Sequence, residues 1–408
     1  AGAFNITTRS ASFTSSADFE LSYGNYGYLQ AKASITGALS KKIAARLSFS
    51  GTQRDGLVDN VATAKPTNTL NNQGLRAQIL YTPTENTKIT LAADLTRQRP
   101  DGYAQVIAGV APTQRAAYRQ FNQIISDLNY KLPSQNGFDR KIDHDTPWRS
   151  GQDLGGVSLN IDTKIGTGTL TSTTAWRFWT WDPSNDRDFT GLQVLAKSQN
   201  PSRQTQITQE VRYAGHISSK LSGVVGVFYI DQTVKTNGTE ESGNAQWRFS
   251  QSSTSPLWQT AGLFEGYGIK TTSSIRSSSA AVFGQLDWAI TERLHILPGL
   301  RYNYDKKEAD YDRKVYGGLQ TTDPALIALQ RSVYSDQAFT SNIDDTDYSG
   351  NLTLSFKAAA KLNAYATYAK SYKPVGVNVA GLPTLAGKPI LELAEIKPEE
   401  VNHFEIGI

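Results

Sequence analysis

His144, His216, His295 and His403 are the sequence's four imidazoles, and they stand far apart along the chain. Only His144 has neighbours with metal-ligand chemistry, in the run Asp143-His144-Asp145. Such a triplet supplies suitable donors, but a solvated loop is the simpler reading. Asp344, Asp345 and Asp347 could hold Ca²⁺ through carboxylate oxygens. They lack the glycine and terminal glutamate of a Ca²⁺-binding loop and read as a polar loop tip. No Ser, His and acid grouping stands in a nucleophile elbow, and no glycine-rich phosphate cradle follows a strand. Zero Cys excludes disulfides, thiolate zinc sites, iron–sulfur clusters and a thiol nucleophile. The sequence therefore predicts no enzyme, no metal site and no cofactor. What remains is suited to binding: Arg177, Trp179 and Trp181, at every second position. Two indoles beside a guanidinium could stack on a flat or sugar-like ligand and hold an anionic group; packing against loops is the competing role for the indoles. The spacing demands a strand, where alternate residues share a face.

That strand has many companions. The 408 residues include 33 Gly, 19 Tyr, 15 Phe and 7 Trp, an all-β balance of turns and aromatic strands. Charged residues make up 19%, low for a soluble chain, while a mean hydropathy of -0.42 is too polar for a bundle of membrane helices. The longest uncharged apolar run, Gly223 to Ile230, is far short of the roughly 20 residues a membrane-spanning helix needs. Period-two alternation instead recurs from end to end, as in Leu29, Ala31, Ala33, Ile35, in Ile89, Leu91, Ala93, Leu95, and in Leu352, Leu354, Phe356. About fourteen strands of about ten residues each are predicted, the length that suits a tilted membrane crossing. Tight connections near 40–42, 83–87, 164–168, 216–220, 290–293 and 358–361 alternate with long polar stretches near 55–70, 99–151, 182–204, 232–276, 305–346 and 373–399.

An up-and-down transmembrane antiparallel β-barrel, with turns at one end and loops at the other, produces this alternation. Fourteen strands enclose a lumen too wide for their own side chains to fill, so the polar face looks inward and the apolar face outward to lipid. Lys32, Arg46, Arg76, Asp94, Asp162, Arg177, Glu210 and Arg212 are then luminal. In strand seven the same parity sends Arg177, Trp179 and Trp181 inward and leaves Trp176 and Phe178 in an outer aromatic girdle. Tyr118, Phe121, Ile125 and Leu128, at spacings of three and four, predict a short helix in the longest loop. Turns are expected at the periplasmic end and loops outside. A net charge of +4, with bases and acids interleaved, gives no reason to expect nucleic acid. Zero Met predicts that a signal peptide or more precedes Ala1 in the primary product.

Several segments resemble the TonB-dependent outer-membrane receptors. Gly2-Ala3-Phe4-Asn5-Ile6-Thr7-Thr8-Arg9 is similar to the end of that family's plug domain, and Leu21-Ser22-Tyr23-Gly24-Asn25-Tyr26 to its first barrel hairpin. In family order follow Ala44-Ala45-Arg46-Leu47, Arg54-Asp55-Gly56, Thr208-Gln209-Glu210-Val211-Arg212, Gly226-Val227-Phe228-Tyr229, Ala281-Val282-Phe283-Gly284-Gln285 and Gly299-Leu300-Arg301-Tyr302. Tyr365 to Pro374, Lys397-Pro398-Glu399-Glu400 and Phe404-Glu405-Ile406-Gly407 complete the series. The resemblance implies part of a 22-stranded plugged barrel, with residues 1–12 ending the plug and 13–408 forming a barrel incomplete at its C-terminus. It implies a Gram-negative outer-membrane protein that imports a scarce nutrient, such as a ferric siderophore or another small organic substrate. Its partners would be outer-membrane lipid and the periplasmic TonB energy-transducing protein, reached through a plug segment absent from this sequence. A passive porin is the alternative, since it too has a polar lumen.

Overall fold

The computed structural model describes residues 7–102, 104–146 and 148–408. Fourteen long strands form one antiparallel sheet: β1 (Ser16–Gly24), β2 (Tyr28–Ala38), β3 (Ile43–Arg54), β4 (Leu70–Thr84), β5 (Thr87–Gln98), β6 (Arg149–Ile165), β7 (Gly168–Ser184), β8 (Ser202–Ser218), β9 (Leu221–Ser242), β10 (Gly268–Ala289), β11 (Leu294–Tyr316), β12 (Gln337–Ala359), β13 (Leu362–Lys373) and β14 (Glu399–Gly407). Each pairs with its sequence neighbour, and a short extra strand, Leu195–Gln199, docks between the upper ends of β7 and β9. The sheet's outer strands, β1 and β14, do not pair with each other, so the wall is a partial barrel. Among the described residues no helix is long and apolar enough to cross a membrane; the crossing elements are strands.

Six connections, β2/β3, β4/β5, β6/β7, β8/β9, β10/β11 and β12/β13, take only two to four residues, and all lie at one end. At the other end every connection is long except β1/β2, which closes through Asn25, Tyr26 and Gly27. Tyr26 and Gly27 both have φ of +61°, the left-handed pair at the centre of the turn that the Tyr28 amide closes on the Asn25 carbonyl at 3.2 Å. A side chain at Gly27 would also stand 2.6 Å from the Asp55 carboxylate.

Strand length departs from the expected ten residues. β1 to β3 have 9, 11 and 12, whereas β9 to β12 have 22, 22, 23 and 23. Much of the stretches expected as loops at 232–276 and 305–346 is therefore strand. A bilayer uses about 9–11 residues of each tilted strand, so half of β9–β12 stands beyond it. There both faces meet water, and apolar alternation gives way to Ser, Thr, Lys and Asp. Asp344, Asp345 and Asp347 lie inside β12 rather than at a loop tip, with Asp345 directly opposite Asp305 of β11.

The wall is inverted relative to a soluble domain. Large apolar side chains sit on the outside, with Phe19 73% exposed, Val225 57% and Leu300 62%. The opposite face carries the polar network. Asp94 Oδ1 accepts from Arg177 at 2.6 Å and from Arg76 at 3.0 Å, and Asp162 Oδ1 accepts from Thr171 at 2.7 Å. This division matches the predicted parity and keeps guanidinium groups out of lipid, where each costs about 2–4 kcal/mol near the midplane.

Of the stretch expected to end a plug, residues 1–6 lie outside the described residues. The segment that follows crosses the luminal face of β2–β4. Arg46 Nε donates to the Ser10 carbonyl at 2.9 Å, Gln78 Nε2 to Thr8 Oγ1 at 3.3 Å, and the Ser12 amide to Thr36 Oγ1 at 2.9 Å.

Candidate functional site

The long loops knit into a canopy with 99–148 at its hub. The predicted helix forms there as α1 (Phe121–Asp127), preceded by a 3-10 turn at Ala117–Arg119. Its buried residue is Ile124, whereas Tyr118 is 44% exposed. One edge of the hub meets loop 185–201: the Tyr130 hydroxyl donates to Asp143 at 2.9 Å and accepts from the Gly191 amide at 3.1 Å. Another edge meets loop 243–267 through α2 (Gln246–Ser250), whose Arg248 guanidinium, 1% exposed, pairs with Asp127 at 2.7 Å.

His144 is not in a solvated loop. Asn60 clasps its backbone, donating to the His144 carbonyl at 2.9 Å and accepting from its amide at 3.1 Å. The ring packs 4.6 Å from Trp148 and 5.8 Å from Phe189, centroid to centroid. Burial pushes its pKa down to about 4, which leaves the imidazole neutral at pH 7. The flanking carboxylates diverge, Asp143 accepting from Tyr130 and Asp145 from Gln193 Nε2 at 2.6 Å. Among the described residues no group of three or more His, Cys, Asp or Glu is arranged to hold a metal ion.

Sequence reasoning missed Asp186 and Asp188, although the run Asn185-Asp186-Arg187-Asp188 directly after β7 was a turn signal. Asp186 accepts from the amides of Asp145 at 3.0 Å and Phe189 at 2.8 Å, while Asp188 accepts from Thr190 and from the Leu195 amide at 3.2 Å. Burial, then the Asp188 charge, pushes Asp186 up to about 7; burial foremost raises Asp188 to about 6. Both stand above the ordinary 3.8, so the closed clasp holds more protons than an open loop does. Its stability is complete below pH 3.8 and drains as pH rises through 6 and 7. Amide exchange across 185–195 is expected to be slower at about pH 5 than at about pH 8, after correction for intrinsic rates, and Asp186→Asn should flatten the dependence. Protection that increases towards pH 8 would contradict this.

The strand-seven residues lie where parity put them, all on the luminal face of β7. Trp179 and Trp181 stack with centroids 5.8 Å apart and an interplanar angle of 25°. Their indole N–H groups donate to Gln152 Oε1 at 2.9 Å and Ser150 Oγ at 3.2 Å on β6. Trp176 and Phe178 face outward, rings 5.5 Å apart. Arg177 lies deeper, on the carboxylate it shares with Arg76. Trp181 lines a chamber of about 610 Å³ at the loop end, together with Arg187, Glu240, Tyr311, Arg313 and Tyr334. The guanidinium groups in that chamber are thus Arg187 and Arg313, two residues the sequence did not single out.

Residues 94–408 match the family described as TonB dependent receptor-like, beta-barrel. The chain belongs to the TonB-dependent receptor family. Its members are receptors and transporters of the Gram-negative outer membrane rather than enzymes, and that membrane is this protein's location. The pesticin receptors of Yersinia pestis and Yersinia enterocolitica are 23% identical over 137 residues, covering 34% of this chain and 18% of those proteins. Among solved structures, the ferric yersiniabactin uptake receptor FyuA from Yersinia pestis superposes with a TM-score of 0.72 at 16% identity, over 98% of this chain and 52% of that one. The siderophore receptor PiuA from Acinetobacter baumannii gives 0.64 at 14% identity, over 98% and 55%. At such identities the likeness is one of fold. The chain spans about half the length of these structures and less than a fifth of the matched curated relatives.

Proposed function

We propose that this chain is the wall of an active outer-membrane importer, with its tight turns facing the periplasm and its canopy outside. In this reading residues 1–12 end a plug domain and 13–408 form part of the barrel around it. The plug would be moved by the periplasmic TonB protein. The observation that carries the reading is the segment Thr8–Ser12, held inside the lumen by Arg46, Gln78 and Thr36. A chain entering the barrel from within is what a plugged importer needs and a passive porin does not. The substrate class is a small organic compound or metal chelate. Neighbours named for ferric yersiniabactin and ferric-catecholate import support a ferric siderophore, while the copper transporter OprC, with a TM-score of 0.61, shares the same fold. Arg177, Trp179 and Trp181 are the wall residues proposed to meet the substrate, the stacked indoles directly and Arg177 as a source of positive potential below them.

Cells carrying the full-length receptor should accumulate labelled ferric siderophore only while energised, losing uptake on addition of a protonophore or deletion of the TonB partner. Energy-independent entry would favour the porin. Replacing Trp179 and Trp181 with Ala, in receptor that still shows heat-modifiable migration, should weaken substrate binding at least tenfold, about 1.4 kcal/mol. Unchanged affinity in a well-assembled double variant would remove both indoles from the site.

A further inference from the structure

The chamber beside Trp181 has a composition that narrows what it receives. Its volume of about 610 Å³ falls in the range of small-molecule sites. The aromatic residues Trp181, Tyr311 and Tyr334 line it, among Asn, Gln, Ser and Thr side chains. Two guanidinium groups enter it, and they differ in state. Arg187 forms an ion pair with Glu240, so its charge is offset. Arg313 makes no ion pair among the described residues: Nε donates to the Ser335 carbonyl at 2.8 Å and its NH2 group to Ser335 Oγ at 3.4 Å, both neutral acceptors. The wall therefore carries one uncompensated positive charge, with the guanidinium already oriented by its hydrogen bonds.

The surrounding structure holds that group in place. Tyr311 stacks on Phe339 with centroids 4.9 Å apart, in a small core with Leu382 and Ala394. Gln337 fastens the loop over this core with two hydrogen bonds to Leu382, donating to its carbonyl at 2.7 Å and accepting from its amide at 2.8 Å. Gly381, at φ +102°, passes so close that an added Cβ would stand 3.1 Å from the Arg313 NH1 group and 3.6 Å from the Tyr311 hydroxyl. Any side chain at position 381 would crowd the guanidinium, and glycine keeps the loop from doing so.

We propose that this chamber binds an aryl carboxylate or phenolate, the aromatic ring lying among Trp181, Tyr311 and Tyr334 and the anionic oxygens meeting Arg313. A neutral sugar would leave the guanidinium without the negative partner its position calls for. An aliphatic anion would leave the ring surfaces unused. The assignment rests on the importer reading only in making this chamber a resting place for solute on its way in.

Benzoate and benzamide form the probe pair, since they share shape and differ in charge. Titrated into purified full-length receptor and followed by saturation-transfer NMR and quenching of indole fluorescence, benzoate should bind saturably in the millimolar range expected of so small a ligand. Benzamide should bind about tenfold more weakly or not at all. Arg313→Gln should bring benzoate down to the benzamide level, and Trp181→Leu should remove both quenching and binding, each in protein of normal heat-modifiable migration. Equal affinity for the two probes, no saturable benzoate binding, or benzoate affinity unmoved by either variant overturns the proposal. Uptake that still needs energy alongside any of those results leaves the importer standing without this site. Arg313-dependent benzoate binding in a receptor with energy-independent uptake does the reverse.

Discussion

Val225→Arg is expected to destabilise the wall by about 2–4 kcal/mol, the cost of placing a guanidinium on the lipid face near mid-bilayer. Val225 is 57% exposed, and its cross-strand partners are Tyr213 and Gly284. It lies midway between the turn end of β9 at Leu221 and the aromatic row at Tyr229. That face points away from the luminal carboxylates, so the new charge meets lipid. Farther up the same face of β9, Asn237 stands opposite Thr272 in the part of the strand that leaves the bilayer. Asn237→Arg should stay within about 0.5 kcal/mol of wild type. Denaturant titration in lipid vesicles, read by heat-modifiable migration, measures both. Equal losses for the two variants, or none for Val225→Arg, would mean that the apolar outer face does not meet lipid.

Arg248→Leu should release the hub loop. The guanidinium is almost wholly buried; besides Asp127 it donates to the Tyr118 carbonyl at 2.8 Å and the Gln251 carbonyl at 3.1 Å. Leucine fills some of the space but leaves a carboxylate and two carbonyls without their partner. Amide exchange over 117–128 and 246–251 is expected to accelerate about a hundredfold, with the membrane-embedded parts of β9 and β10 unchanged. Asp127→Asn, which keeps a neutral acceptor opposite Arg248, should give a smaller effect. Wild-type protection in the leucine variant would show that the loops are held by other contacts.

The barrel was legible in the sequence because lipid imposes a strict rule on alternate residues, and Leu29 to Ile35 or Leu352 to Phe356 obey it. Above the bilayer the rule lapses. Residues 231–242 and 268–278 have water on both faces, alternate polar with polar, and so read as loop although they pair in register as strand. In the candidate site, parity placed Arg177, Trp179 and Trp181 on one face because that follows from spacing along a single strand. What each side chain meets did not follow. Asp94 reaches Arg177 across 83 positions, and Asn60 reaches His144 across 84, so neither the charge sharing nor the burial had a local signal. Arg313 was hidden for the same reason: Ser335, whose oxygens it donates to, and Gly381 beside it are brought by other segments.

The tall strands β9–β12 also fix how deeply the protein floats. On their outer face the row Tyr229–Ala280–Tyr304 is followed, one outward position higher, by Asp231, Ser278, Lys306 and Asp344, and then by Arg276 and Glu308. Arg276 donates to Asp231 at 3.0 Å and Lys306 to Glu308 at 2.8 Å, so the outer wall passes from aromatic to ionic within two residues of each strand. Two residues of a tilted strand rise about 5 Å. Sinking by that amount would draw a whole row of charges out of water at once, and rising by it would strip lipid from the aromatic row. The restoring force is steep in both directions. Vertical bobbing of this side should be smaller than one strand repeat, so the canopy keeps a constant height above the membrane surface.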